Sequence, residues 1–307
     1  MNIIFMGNPE FACPSLQAIN SSNHQIVGVI SNPPKRMGRS KDVFFTPIGN
    51  LARELSLNLL TPDKLSDPDV KDWIIDLKPD ILIVVAFKIL PRPIISIPNL
   101  NAINLHASLL PKYRGAAPIQ HAILNGDDFT GNTTFLIEPQ VDKGSIILQQ
   151  KIKIESNDNF LTLSKRMSRH GADLLIESLE VAVKPKFVAM PQDNSLATLA
   201  PKIDKSFGKI DWNEPSKLIH SKIKALSFSP GTFAMFNGKR LKIYESRLTE
   251  NKCQYSPGEI ICKGNKIFAS CIDYYLELME VQCEGKKKMS ALDWFRGVNK
   301  KSGIQLD

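Results

Sequence analysis

The run "ILIVVAF" at 81–87 limits the folds open to this chain more than any other stretch. All its residues are apolar, so a strand built from it must be buried on both faces. That is the condition of a central parallel strand covered by helices on each side. The flanking sequence supplies such helices. "NIIFMG" reads as an opening strand, and "NPEFACPSLQAI" places Phe11, Leu16 and Ile19 as a helix packed on a sheet requires. "HQIVGVIS" is a second strand that ends in the loop "NPPKRMGRSK". "TPIGNLARELSLNL" predicts a helix with Thr46 as N-cap and Pro47 at its first position. "DVKDWIIDLKPD" predicts another, ending near Pro79. "NAINLHAS" is the next strand, "AAPIQHAILNG" a helix, "GNTTFLIEP" and "SIILQQKIKI" strands, and "FLTLSKRMSRHGADLLIESLEVAV" a long amphipathic helix. This alternation predicts a doubly wound α/β sheet, whose ligands bind beyond the carboxyl ends of the strands. The first turn, "MGNPEF", is not a dinucleotide fingerprint, so it gives no ground for a nicotinamide or flavin cofactor.

The pattern loosens over 187–208, "FVAMPQDNSLATLAPKIDKSFG", which is polar and contains prolines. The division expected is a catalytic domain at 1–186, a linker at 187–208 and a basic domain at 209–307. The last of these holds one helix, "EPSKLIHSKIKALS", then short strands separated by turns. Asn237-Gly238 between "GTFAMF" and "KRLKIYESRL" is a hairpin signal. So many short strands predict a small barrel or sandwich, OB-like in class. Charge divides at the same place. Residues 1–204 carry 21 Lys+Arg against 20 Asp+Glu, and residues 205–307 carry 18 against 11. A basic module beside a near-neutral body is the pattern of a polyanion binder joined to something else. Phe233, Phe236 and Tyr244 in that module are read as core residues rather than base-stacking ones.

The five cysteines form no C-x-x-C pair, and no histidine follows His220, which argues against a structural metal or disulfide. No apolar run reaches membrane-spanning length. A cytoplasmic monomer with no membrane partner is expected.

Chemistry concentrates in "INLHASLLPKYRGAAP" at 103–118. In a strand, residues i and i+2 share a face, so Asn104 and His106 point one way and Ile103 and Leu105 the other. They lie at the strand's carboxyl end, where α/β sites form. "EPQVDKGSI" places Asp142 in a turn before another strand. Each residue alone has a plainer reading: a satisfied buried polar group for the histidine, an ordinary turn residue for the aspartate. Together, an amide, an imidazole and a carboxylate suit acyl transfer to an amine. Amide and imidazolium donate to the developing oxyanion, while the carboxylate holds the imidazole charged and helps remove the amine's proton. No protein nucleophile is needed, and neither Cys13 nor any serine has a base at motif spacing. Lys112 and Arg114 are candidates to meet a carboxylate or phosphate.

At these residues the chain resembles the methionyl-tRNA formyltransferases, a family of folate-dependent formyltransferases. "IIFMGNPEFACPSLQAI" resembles the family's opening strand, turn and helix; "NLHASLLPKYRGAAPIQHAI" resembles its signature; "VDKGSI" resembles its Asp-containing loop. "KIDWNEPSKLIHSKIKALSFSPGTF" resembles the beginning of its tRNA-binding domain, and "PKRMGRSK" its acceptor-stem loop. The resemblance implies a Rossmann-like formyltransferase domain followed by a smaller OB-like β-barrel domain. It implies Asn104, His106 and Asp142 as the catalytic trio. It implies folate contacts from Ser108, Leu109, Leu110 and Pro111, with main-chain groups near Lys88, Ile89 and Leu90 on the pterin. Arg39 and Lys41 fall in the loop implied to touch tRNA, within the cluster Lys35, Arg36, Arg39 and Lys41. The reaction implied moves a formyl group from 10-formyltetrahydrofolate to the α-amine of initiator methionyl-tRNA, without a metal.

Three departures stand out: "VVAFKILP" in place of the longer segment usual before "ILP", Gln140 where glycine is usual, and Ser145 where Asp or Pro is usual. The first is more like glycinamide ribonucleotide formyltransferases. Transfer to another amine, such as glycinamide ribonucleotide or an amino sugar nucleotide, is the nearest alternative, and a catalytically dead RNA-binding protein is a more distant one.

Overall fold

The computed structural model describes residues 1–36, 42–184, 187–227, 229–298 and 304–307. The chain divides into two compact units: Met1–Pro118 with Phe129–Lys153 and Ser164–Ala200, and Ile119–Asp128 with Ile154–Leu163 and Pro201–Asp307.

Along the first half run β1 (Asn2–Gly7), α1 (Cys13–Asn20), β2 (Gln25–Ile30), β3 (Lys35–Arg36), β4 (Val43–Phe44), α2 (Pro47–Glu54), β5 (Leu59–Leu60), α3 (Pro68–Asp76), β6 (Ile81–Val85), α4 (Arg92–Ile95) and β7 (Ala102–His106). They are followed by α5 (Pro118–Leu124), β8 (Phe129–Leu136), β9 (Ile146–Lys153) and α6 (Phe160–Ala182). Among the described residues the main sheet has the order β5-β2-β1-β6-β7-β8-β9.

β6 occupies the central place its composition demands, with every residue buried. Its two faces serve different cores. Ile81, Ile83 and Val85 pack with Leu16 and Ile19 of α1, Leu51 of α2 and Leu175 of α6. Leu82 and Val84 pack with Val70 and Ile74 of α3 and Ile94 of α4. Each such side chain contributes roughly 1.5–3 kcal/mol by burial. Thr46 caps α2, its hydroxyl accepting from Gly49 N at 2.9 Å.

The sheet is parallel from β5 to β7 and antiparallel from β7 through β9. It is therefore mixed, a doubly wound sheet in which β8 alone runs against the other strands. The connection 137–145 between β8 and β9 is too short for a crossover helix, so those strands can only form a hairpin.

The second unit holds α7 (Ser216–Ala225), β10 (Thr232–Phe236), β11 (Lys239–Lys252), β12 (Glu259–Lys263), β13 (Lys266–Ser270), β14 (Tyr274–Cys283), β15 (Met289–Ser290), α8 (Ala291–Arg296) and β16 (Ile304–Gln305). Among the described residues the strands follow the order β10-β11-β14-β13-β12-β16. The ring then closes, because Met235 of β10 and Asp307 exchange backbone hydrogen bonds of 3.1 and 3.0 Å. The architecture is a barrel around Trp212, Ile219, Leu241, Ile243, Ile267, Leu276 and Trp294. Phe233 is buried and Phe236 packs edge-on against Trp294, as core residues; Tyr244 is half-buried beneath the Lys288 ammonium. No helix among the described residues is long and apolar enough to cross a membrane.

Candidate active site

Strand β7 delivers two of the expected side chains to one face. Ile103 and Leu105 sink into the core, which turns Asn104 and His106 to the opposite side. His106 is buried, and its Nε2 lies 2.8 Å from the Tyr113 carbonyl oxygen. A carbonyl only accepts, so Nε2 carries a hydrogen and the Nδ1 edge is left for chemistry. Nδ1 stands 3.9 Å from Asp142 Oδ2, longer than a hydrogen bond but well within strong electrostatic reach. Asn104 is half-buried, and its amide has no hydrogen-bond partner among the described residues.

Asp142 has φ 54°, a left-handed conformation that aspartate tolerates better than most residues. Its Oδ2 accepts from Gly115 N at 2.8 Å. Gly115 itself sits at φ 121°, and a β-carbon there would meet Ala200 O at 2.7 Å. Tyr113 and Gly115 thus hold His106 and Asp142 from a single turn.

The segment after β7 is built mainly as scaffold. Ser108 Oγ donates to Lys112 O at 2.6 Å, and Thr133 Oγ1 donates to Ser108 O at 2.6 Å while accepting from Leu110 N at 3.1 Å. Gln149 Nε2 donates to Leu110 O at 2.8 Å. Ser108 and Leu110 are buried, whereas Leu109 and Pro111 keep partial exposure. The Leu110–Pro111 peptide is cis.

Across β6 the loop 86–90 leaves the same rim of the sheet. The backbone groups of Ala86 to Ile89 have no backbone partner among the described residues, and the Ile89 side chain is 73% exposed. Lys88 is exposed and its Nζ donates to Asp63 O at 3.4 Å, while Leu90 is buried. Such a loop offers main-chain donors and acceptors beside an apolar side chain.

Arg114 departs from its expected role. It is only 6% exposed and donates to Gln192 Oε1 at 3.1 and 2.6 Å and to Asn194 Oδ1 at 2.9 Å, so it is not poised for a ligand anion. Gln192, Thr133 and Thr198 carry no local motif and enter the site only through tertiary contacts. Gln140 lies on the exposed side of the 138–145 turn, and Ser145 Oγ reaches Glu138 at 3.4 Å. Arg39 and Lys41 lie outside the described residues; Lys35 and Arg36 are exposed on β3. Burial, with Glu10 next in effect, pushes the Cys13 thiol up to about 11, so it offers no thiolate nucleophile at neutral pH.

The Rossmann-like unit carries an amide and an imidazole on β7 and a carboxylate in the 137–145 turn, and the barrel forms a second unit. The formyl transferase model matches residues 1–179, and the formyl transferase C-terminal domain model matches residues 202–299. The chain belongs to the formyl transferase family. Within it, the chain is 36% identical over 308 residues to the methionyl-tRNA formyltransferase of Caldanaerobacter subterraneus subsp. tengcongensis, covering 100% of both chains. It is 39% identical over 309 residues to that of Caldicellulosiruptor saccharolyticus, covering 99% of each. An N-formyltransferase from Helicobacter canadensis, solved with folinic acid and dTDP-3-aminofucose, shares the fold with TM-score 0.67 at 21% identity, over 94% of this chain and 99% of that one.

Proposed function

We propose that this chain transfers a formyl group from 10-formyltetrahydrofolate to the α-amine of initiator methionyl-tRNA, with Asn104, His106 and Asp142 as the reacting side chains. The observation that carries the reading is likeness to methionyl-tRNA formyltransferases over the whole length, basic C-terminal unit included. The neutral catalytic unit alone suits any formyl acceptor; the excess of 18 Lys+Arg over 11 Asp+Glu in 205–307 suits a nucleic acid.

Bound 10-formyltetrahydrofolate supplies the carbon that the amine attacks. The Asn104 amide donates to the oxygen that gains charge at that carbon. The Nδ1 edge of His106 faces the same place, and protonated there it adds a charged donor. Asp142 stabilises that imidazolium across 3.9 Å, and its second oxygen can take the proton the amine loses. Ala86 to Leu90 would bind the pterin through main-chain groups, with Ser108 to Pro111 as the opposing wall. Arg39 and Lys41 would meet the acceptor stem. The protein acts in this scheme as a cytoplasmic monomer.

Two variants test the trio. Asp142→Asn and His106→Ala are expected to lower turnover by roughly 10²-fold or more while methionyl-tRNA affinity changes little. Near-wild-type turnover in either would remove that residue from the mechanism.

A further inference from the structure

The side chains proposed to react are held by a segment remote from them in sequence. Gln192 sits between two loops with its amide fully used. Its Nε2 donates to Asp142 O at 3.0 Å and Gly144 O at 2.8 Å. Its Oε1 accepts both hydrogen bonds from Arg114, at 3.1 and 2.6 Å. An amide suits this place because one end must donate to two carbonyls and the other must accept from a guanidinium. Burying Arg114 is costly, and among the described residues no carboxylate lies within salt-bridge distance of it. Its charge is satisfied by Gln192 and Asn194 instead.

The same segment pins the turn that holds both reacting groups. Thr198 Oγ1 accepts from Tyr113 N at 2.9 Å, Thr198 O from Arg114 N at 2.9 Å, and Ala200 N donates to Arg114 O at 2.7 Å. Tyr113 O holds His106 and Gly115 N holds Asp142. One strap, 192–200, therefore fixes the turn from one side and the Asp142 loop from the other.

From this geometry we infer that Gln192, locked by Arg114, is a positioning residue that sets the separation of His106 Nδ1 and Asp142 Oδ2. The inference rests on the catalytic reading of Asp142. Gln192 bonds to the backbone of the Asp142 loop and not to the reacting side-chain atoms, so it acts through that loop. Loss of the clamp lets that loop move by ångström amounts, which in a preorganised site costs on the order of 10- to 100-fold in turnover. Substrate binding, which uses other surfaces, is left nearly intact.

The test is a double-mutant cycle on the full chain, measuring kcat and the KM for methionyl-tRNA. Gln192→Met preserves volume and removes the hydrogen bonds. Gln192→Glu is the second variant: it keeps the acceptor for Arg114 but turns a carboxylate oxygen toward two carbonyls. Both are expected to lower kcat about 10-fold or more with KM within about twofold. In an Asp142→Asn background the same changes are expected to add less than about threefold, since the group they position is already disabled. Unchanged kcat in the single variants would overturn the inference, and so would a loss that multiplies in full with that of Asp142→Asn. Near-wild-type activity of Asp142→Asn alone would instead bring down the catalytic reading, and the clamp's role with it.

Discussion

At Gly115 two demands meet on one residue. Its positive φ and the nearby Ala200 carbonyl exclude a side chain, and its N–H orients the carboxylate of Asp142. Gly115→Ala is expected to lower stability by roughly 2 kcal/mol or more and to reduce turnover with it; wild-type values for both in a urea titration and a formylation assay would contradict this. A second residue reports on pH. His220 sits in the barrel unit, its Nδ1 2.9 Å from Ser246 Oγ, and burial, then Lys224, lowers its pKa to about 4 from an ordinary 6.5. The folded state thus favours the neutral ring. Its contribution to stability is whole above pH 6.5 and is lost as pH falls towards 4, on the order of 2–3 kcal/mol. Urea midpoints followed through Trp212 and Trp294 are expected to drop across that window and to drop less in His220→Gln. Asn104 and His106 were legible because a strand's period fixes their common face. Asp142 alone reads as a turn residue, and stood out as a candidate only beside Asn104 and His106 and through the family resemblance. Arg114 and Gln192 were not legible, because their pairing spans 78 residues and no local pattern encodes it.

Among the elements, those with local chemistry were the easiest to read. Thr46 and Pro47 begin α2 as a cap and a first-turn proline should. Asn237 and Gly238 turn β10 into β11 with φ of 49° and 73°, both in the left-handed region a two-residue hairpin needs. The change of sheet direction at β8 and the closure of the barrel by 304–307 were hidden, since both are set by pairing between distant strands. Leu306 shows what the closing segment contributes: it is 1% exposed and packs in the barrel core. Leu306→Ala is expected to cost about 3 kcal/mol. A shift of the barrel's urea midpoint worth less than about 1 kcal/mol would mean the ring does not depend on that strand.

Over the whole molecule, the basic excess of 205–307 beside a nearly neutral 1–204 was visible in charge alone, whereas the grouping of 119–128 and 154–163 with 201–307 was not. What charge could not specify is the acceptor, because the three side chains proposed to react would serve any amine presented to them. The most direct measurement is formyl transfer by the purified protein from 10-formyltetrahydrofolate to methionyl-tRNA, glycinamide ribonucleotide or an amino sugar nucleotide, each across a salt series. Transfer to methionyl-tRNA alone, weakening as salt rises, is expected. Transfer to a small amine with none to the tRNA would contradict it, leaving the chemistry in place and the basic barrel without a role.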